Sequence, residues 1–348
     1  MGIQKQESGD SSQNIQVNGN VTCGITYTEA RQIALDVFNA NCQTLMREAA
    51  HTSEVRANEI VDEFIKKLYE EHPELSQRLQ EPSIQYSTFS VIKNYVKTGD
   101  GELKEQLLRV LLQRMEVQDR SMEQIVLDEA IEVLPKLTQD QINILSLILS
   151  AVYLNHRVQN LQSFNDFINN QLMIFYPNQR SGSSYTHLQY TGCCTLLSEG
   201  ATYKPFPEII KNRYGGLFSK GFTLEVLNDF FSDEVDRIAP IVTTCQQNRS
   251  LLQINAMNDL VLQNIVKANH IDDLADKISK FNKQFEMNNE EIKSYLCKIN
   301  PQMNELLEEW KEERSSLKSM ALTSVGYAIA ILNYNVKTNE SISFEGFI

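Results

Sequence analysis

The stretch from Thr28 to Glu71 carries neither glycine nor proline for more than forty residues and stops at His72-Pro73. Proline has no amide donor and disfavours helical geometry in the residue before it, so a helix ends there. As one helix, at 1.5 Å per residue, the stretch is roughly 65 Å long, more than the width of a small compact domain. Such a rod must find other surfaces to cover it. Thr28 is the expected N-cap, and Glu29 complements the helix dipole. Ile33, Val37, Leu45, Ala49, Ile60, Phe64 and Leu68 form an apolar stripe that Phe38 and Ile65 widen, while His51 to Asn58 form a polar waist. A continuous rod, a break near Thr52-Ser53 and a coiled-coil seam between copies compete at that waist, and the pattern favours continuity.

The rest of the chain also reads as helix. Only 14 glycines and 8 prolines occur in 348 residues, too few for a loop-rich or all-β protein. The expected fold class is mostly α, a multi-helix assembly with a long N-terminal helix, a short leader and a small C-terminal α/β cap. The expected divisions are a leader over 1–24, an N-terminal helical region over 25–134, a central helical core over 135–300, and a C-terminal helix with the α/β cap over 301–348. Thr138 caps a helix running to about Leu154, whose Ile142, Leu145, Leu147, Ile148, Leu149 and Val152 surround much of its circumference and mark it as a core centre. Tyr185 to Ser198 reads as helical despite Gly192, and the helical pattern continues from Val242 to Val266. Leu317 to Leu322 reads as a short strand and Thr323 to Asn333 as a helix. Ser341 to Ile348 alternates as a strand would.

The leader Gly9-Asp10-Ser11-Ser12-Gln13-Asn14-Ile15-Gln16-Val17-Asn18-Gly19 alternates apolar residues at Ile15 and Val17, which reads either as a disordered tail or as an exposed strand that pairs with copies of itself. Together with Gly24-Ile25-Thr26-Tyr27-Thr28-Glu29-Ala30-Arg31 it resembles the opening of a family of largely uncharacterised bacterial helical proteins, the Lpo/Vpar family. Leu322-Thr323-Ser324-Val325-Gly326-Tyr327-Ala328-Ile329-Ala330 resembles that family's closing motif. The resemblance implies no active site, and similar leaders occur on bacterial proteins associated with conflict with phage.

Charge and motif content restrict the chemistry. The formal net charge of −13 disfavours a nonspecific grip on nucleic acid or anionic lipid. Met1 to Asn20 has no apolar core of a signal peptide, and Ile144 to Leu154 is too short to span a bilayer, so the expected location is cytoplasmic. Six cysteines without framework spacing suit free thiols. Gly215, Gly216 and Gly221 flank Lys220 in the wrong order for a phosphate-cradling loop. His187 with Cys193 and Cys194 lacks the second ligand pair of a zinc site, and His270, Asp272 and Asp273 read as capping residues. No catalytic, cofactor-binding or metal-binding residue is assigned. Ile15, Val17, Ile33, Val37 and Leu45 are the candidate oligomerisation residues. Phe206, Arg213, Tyr214, Phe218 and Lys220 are either packing residues or a partner surface with aromatic anchors.

The expectation is a noncatalytic homo-oligomer with an unidentified protein partner, acting in recognition or regulation in antiphage defence. An effector enzyme, a metal-dependent hydrolase or nuclease with a site assembled from distant helices, is one alternative. A membrane-disrupting effector acting through Met320 to Leu332 is another.

Overall fold

The long helix spans Tyr27–Glu71 without a break. Its cap is Thr26 rather than Thr28: the Thr26 hydroxyl accepts from the Glu29 amide at 3.3 Å, and the Glu29 carboxylate accepts from the Thr26 amide at 2.9 Å. The capping box needs a side-chain acceptor three residues after the cap, and of the two threonines only Thr26 has one there, Glu29, whereas Thr28 is followed by Arg31. The polar waist is continuous helix, with Thr52 and Ser53 bonding the carbonyls of Glu48 and Ala49 within the rod.

The computed structural model describes residues 9–10, 24–117, 120–179, 181–198, 201–312 and 315–347, with the side chains of 40 and 43 excepted. The fold is mostly α, with four three-residue strands among the described residues. The chain divides into two units, 1–59 and 60–348. In the first, the described helical residues bury no side chain. In the second, Ile60, Phe64 and Leu68 are buried, so the same helix changes character at that point.

The principal core of the second unit draws on Ile60 through Phe344 and takes residues from all three parts expected over 25–134, 135–300 and 301–348. Its centre is the helix Gln139–Ile148, in which every residue from Gln141 onward is buried. Against it lies the helix Ser324–Thr338, with Ala328, Ile329, Ala330, Ile331 and Tyr334 at 0–1% exposure. A second, smaller core gathers Phe222, Phe231 and Ile254 around Phe281, whose ring meets Phe222, Phe230, Phe231 and Phe285 at centroid distances of 4.8–5.0 Å.

Three segments depart from the sequence reading. The helix expected over Tyr185 to Ser198 ends at Tyr190, Gly192 takes φ +77, and Cys194–Leu196 becomes a strand. It pairs antiparallel with Met320–Leu322, so the expected strand there is real but joins a partner more than a hundred residues away. The run after Val242 forms a hairpin, Val242–Thr244 with Leu252–Ile254, before the helix Asp259–Ala268. Val242-Thr243-Thr244 are β-branched at the start of that run, and this outweighed its helical spacing. Residues 341–347 contain no strand, and the Ile342 amide instead donates to the Asn335 side chain at 2.9 Å. The expected α/β cap is therefore a central helix with a strand shared across the core.

Gly326 explains how that helix seats. A Cβ there would come within 1.9 Å of the Cys193 carbonyl oxygen, whereas one at Gly101 meets nothing within 4 Å. Gly326→Ala is expected to destabilise the protein by about 2 kcal/mol or more, as overpacking does, while Gly101→Ala stays near neutral. Denaturant midpoints of the two variants check this, and equal midpoints would contradict the packing described.

Candidate functional site

Two helices of the second unit end in π-helical turns, Leu149–Tyr153 after Gln139–Ile148 and Ile168–Leu172 after Leu161–Phe167. A π-turn widens the backbone ring, leaves carbonyls out of the regular ladder, and recurs at functional sites. Here the freed carbonyls are collected by Arg213. Its guanidinium donates to the carbonyls of Ala151 at 3.0 Å and Leu154 at 3.2 Å, and to that of Val152. A planar fork of donors suits three divergent carbonyls, and burial lowers the pKa of Arg213 from its ordinary value.

His156 follows the first π-turn and links it to the second. Its Nδ1 lies 3.0 Å from Gln171 Oε1, and its Nε2 lies 3.1 Å from the Ser150 carbonyl oxygen and 3.2 Å from Ser150 Oγ. The Ser150 hydroxyl donates to the Gln171 carbonyl at 2.6 Å. Gln171 Nε2 donates to Glu340, whose other oxygen accepts from the Tyr334 hydroxyl at 3.3 Å. The imidazole packs on Phe167 with centroids 4.2 Å apart. His156, Phe167, Gln171, Tyr334 and Glu340 line a cavity of about 560 Å³ together with Asp166, Arg157 and Ile342.

The tautomer follows from the partners. A carboxylate only accepts, so the Gln171 amide turns its NH₂ to Glu340 and its oxygen to His156, which fixes the proton on Nδ1. Nε2 then faces a carbonyl that has no proton to give. Protonating Nε2 would supply a donor to Ser150, but burial, with the positive Arg213 adding to it, holds the pKa of His156 below its ordinary 6.5. Nδ1 donates to Gln171, Nε2 lies against Ser150, and the Ser150 hydroxyl bonds the Gln171 carbonyl, so these residues with Glu340 tie the two π-turns to the end of the Ser324–Thr338 helix.

The residues singled out in the sequence lie elsewhere or inside. Ile15 and Val17 lie outside the described residues, whereas Ile33, Val37 and Leu45 are 51%, 57% and 60% exposed. Phe206, Tyr214 and Phe218 are buried, so their rings serve packing and not a partner surface. Arg213 is the residue of that group that reaches the site, and Lys220 pairs with Glu291 at 2.9 Å. Gly216 packs on the Ala256 backbone and Gly221 takes φ +77, so this glycine segment is a packed turn. His187 Nδ1 meets Gln141 at 3.0 Å, and burial pushes the Cys194 thiol up to about 12. Asp273 forms a two-pronged pair with Arg237. No group of three metal-ligating side chains occurs among the described residues. His156, Gln171 and Glu340 escaped the sequence reading because they are far apart in the chain and follow no motif.

A family model whose description attaches no activity matches residues 24–348. The chain belongs to that uncharacterised family. No curated protein and no solved structure matches it. The match covers both the long helix and the π-turn site, so both lie within the family's domain.

Protonation of His156 is disfavoured in the fold, so below pH 6.5 the unfolded chain binds the additional proton first. Stability is therefore full above that value and is lost as pH falls below it. His156→Gln should cost about 1–3 kcal/mol at pH 7 by breaking bonded buried groups, and should flatten the decline in denaturant midpoint between about pH 6.5 and 5. Parallel pH profiles for the variant and wild type would refute this role.

Proposed function

We propose that this is a noncatalytic cytoplasmic protein that assembles with copies of itself through its N-terminal segment and acts in recognition or regulation. The observation supporting it is the apolar surface of the long helix. Ile33, Leu35, Val37, Phe38, Leu45, Met46 and Val55 are 37–66% exposed. An isolated helix gains too little from its own hydrogen bonds to hold such residues in water, and an exposed apolar patch of this extent marks an interaction surface.

The arrangement also bears on the number of copies. At 100° per residue, Ile33, Val37 and Val55 fall within about 40° of one another, Leu45 and Phe38 lie about 120–140° round, and Leu35 and Met46 about 200–220° round. That band exceeds half the circumference, more than one neighbouring helix can cover, which favours a bundle of three or more helices over a two-stranded pair. Mixed charges at Glu29, Arg31, Asp36, Arg47, Glu48 and Glu54 leave like copies without strong repulsion.

The resemblance to the Lpo/Vpar family extends this reading to a component of bacterial antiphage defence, and the leader with Ile15 and Val17 would add strand pairing between copies. Two further observations bear on the alternatives. The apolar face of Ser324–Thr338 lies in the core, which leaves a membrane-disrupting role without its proposed exposed helix. No helix among the described residues is long and apolar enough to cross a membrane.

Light scattering coupled to size exclusion tests the proposal. Full-length protein should elute as a trimer or larger, a triple variant Ile33→Glu, Val37→Glu, Leu45→Glu should be monomeric with an unchanged denaturant midpoint, and removal of residues 1–24 should weaken assembly without abolishing it. A monomeric wild type removes the proposal, and a strict dimer removes its bundle form.

A further inference from the structure

Apart from the His156 cavity, one groove contains a buried charge whose bonding is incomplete. It is lined by the helices Pro82–Thr98 and Met122–Val133, encloses about 540 Å³, and includes Ser83, Tyr86, Ser90, Arg114, Gln124 and Ile125 in its walls. Arg114 comes from the helix Gly101–Glu116 and is 1% exposed. Its Nε donates to Asp128 Oδ1 at 2.7 Å, an oxygen that also accepts from the Ser87 hydroxyl at 3.0 Å. Its two terminal nitrogens have no hydrogen-bond partner, nor does Gln124 Oε1 beside it in the groove. Burying donors of a charged group without acceptors is unfavourable, and arginine–carboxylate pairs are frequently two-pronged. The single-pronged contact to Asp128 leaves the other edge of the fork unmade.

The surrounding groups restrict what could complete it. Arg120, Asp128, Glu129 and Glu132 line the same groove, so its wall carries both signs of charge. That mixture disfavours polyanions such as nucleotides, which would meet the carboxylates. Tyr86 and Ile125, 71% and 48% exposed, are the exposed apolar part of a wall that also carries Ser83, Ser87, Ser90 and Gln124, and Phe89 and Met122 are exposed on the same two helices. The volume lies within the range of small-molecule sites.

We propose that this groove binds a small zwitterion with an apolar body, of the amino-acid class. Its carboxylate pairs with the terminal amino groups of Arg114, its ammonium group lies toward Glu129 and Glu132, and its side chain packs on Tyr86 and Ile125. A carboxylate presents two parallel acceptors that match an arginine fork, and this favours it over a point-like anion. The Arg114 nitrogens are covered, so binding includes a side-chain adjustment at the rim. The proposal is independent of self-assembly, since all of its residues lie in the second unit.

Titration calorimetry on the full chain tests it with L-phenylalanine, phenylalanine amide, 3-phenylpropionate and inorganic phosphate. L-phenylalanine should bind saturably, the amide and the propionate at least ten-fold more weakly, and phosphate not at all. Tyr86→Ala and Glu132→Gln, both at the rim, should each weaken phenylalanine several-fold, and Arg114→Met should abolish its binding. Should Arg114→Met fail to fold, the two rim variants decide. Absence of saturable phenylalanine binding, equal binding of the amide, or unchanged affinity in both rim variants would overturn the proposal. Binding of phosphate in place of phenylalanine would overturn it as well.

Discussion

The helix Ser324–Thr338 lies so deep in the second unit that Asn333, a polar residue, is wholly buried on it. Its amide is satisfied from three directions. Nδ2 donates to Ser146 Oγ at 2.8 Å, while Oδ1 accepts from Gln106 at 3.0 Å and Gln139 at 3.2 Å. Ser146 in turn donates to the Ala330 carbonyl at 3.1 Å, and Lys337 donates to Asn143 at 3.0 Å. A buried amide left unpaired is costly, so this network fixes the rotation and depth of the helix against Gln139–Ile148 in a way that apolar packing alone does not. Lys337 takes part although burial depresses its pKa. The rest of the unit depends on this seating, because the same helix presents Gly326 to Cys193 at one end and leads to Glu340 at the other.

That dependence connects the fold to the π-turn site. Gln139–Ile148 runs directly into the first π-turn, and Tyr334 of the closing helix stacks on Phe175 at 5.5 Å, next to the second. Glu340, two residues beyond the end of the closing helix, receives bonds from Tyr334 and Gln171. The His156 network and the amide network thus meet on one helix.

Much of the helical content was legible because its signals are local. The absence of Gly and Pro from Thr28 to Glu71 foretold an unbroken rod, and the apolar circumference of Ile142 to Leu149 foretold a core helix. The N-cap was misplaced by two residues, since the capping box at Thr26 depends on a reciprocal bond from Glu29 that Arg31 could not make to Thr28. The candidate sites were much less legible. Arg213 was noticed for its aromatic neighbours, yet its role is to gather carbonyls about sixty residues away, and Arg114 stood inside an ordinary amphipathic helix with nothing to mark its unpaired nitrogens.

The sequence by itself determined the class of fold and the extent of the long helix, because propensity, periodicity and proline placement act over a few turns. Tertiary structure alone decided that Cys194–Leu196 pairs with Met320–Leu322, that Ser324–Thr338 is central and not a peripheral cap, and that Gln171 meets His156 on one side and Glu340 on the other. These are contacts between residues 15 to nearly 170 apart, and they are fixed by which faces must be buried together and which buried polar groups must find partners. No single segment carries that information, because it is a property of the packed whole.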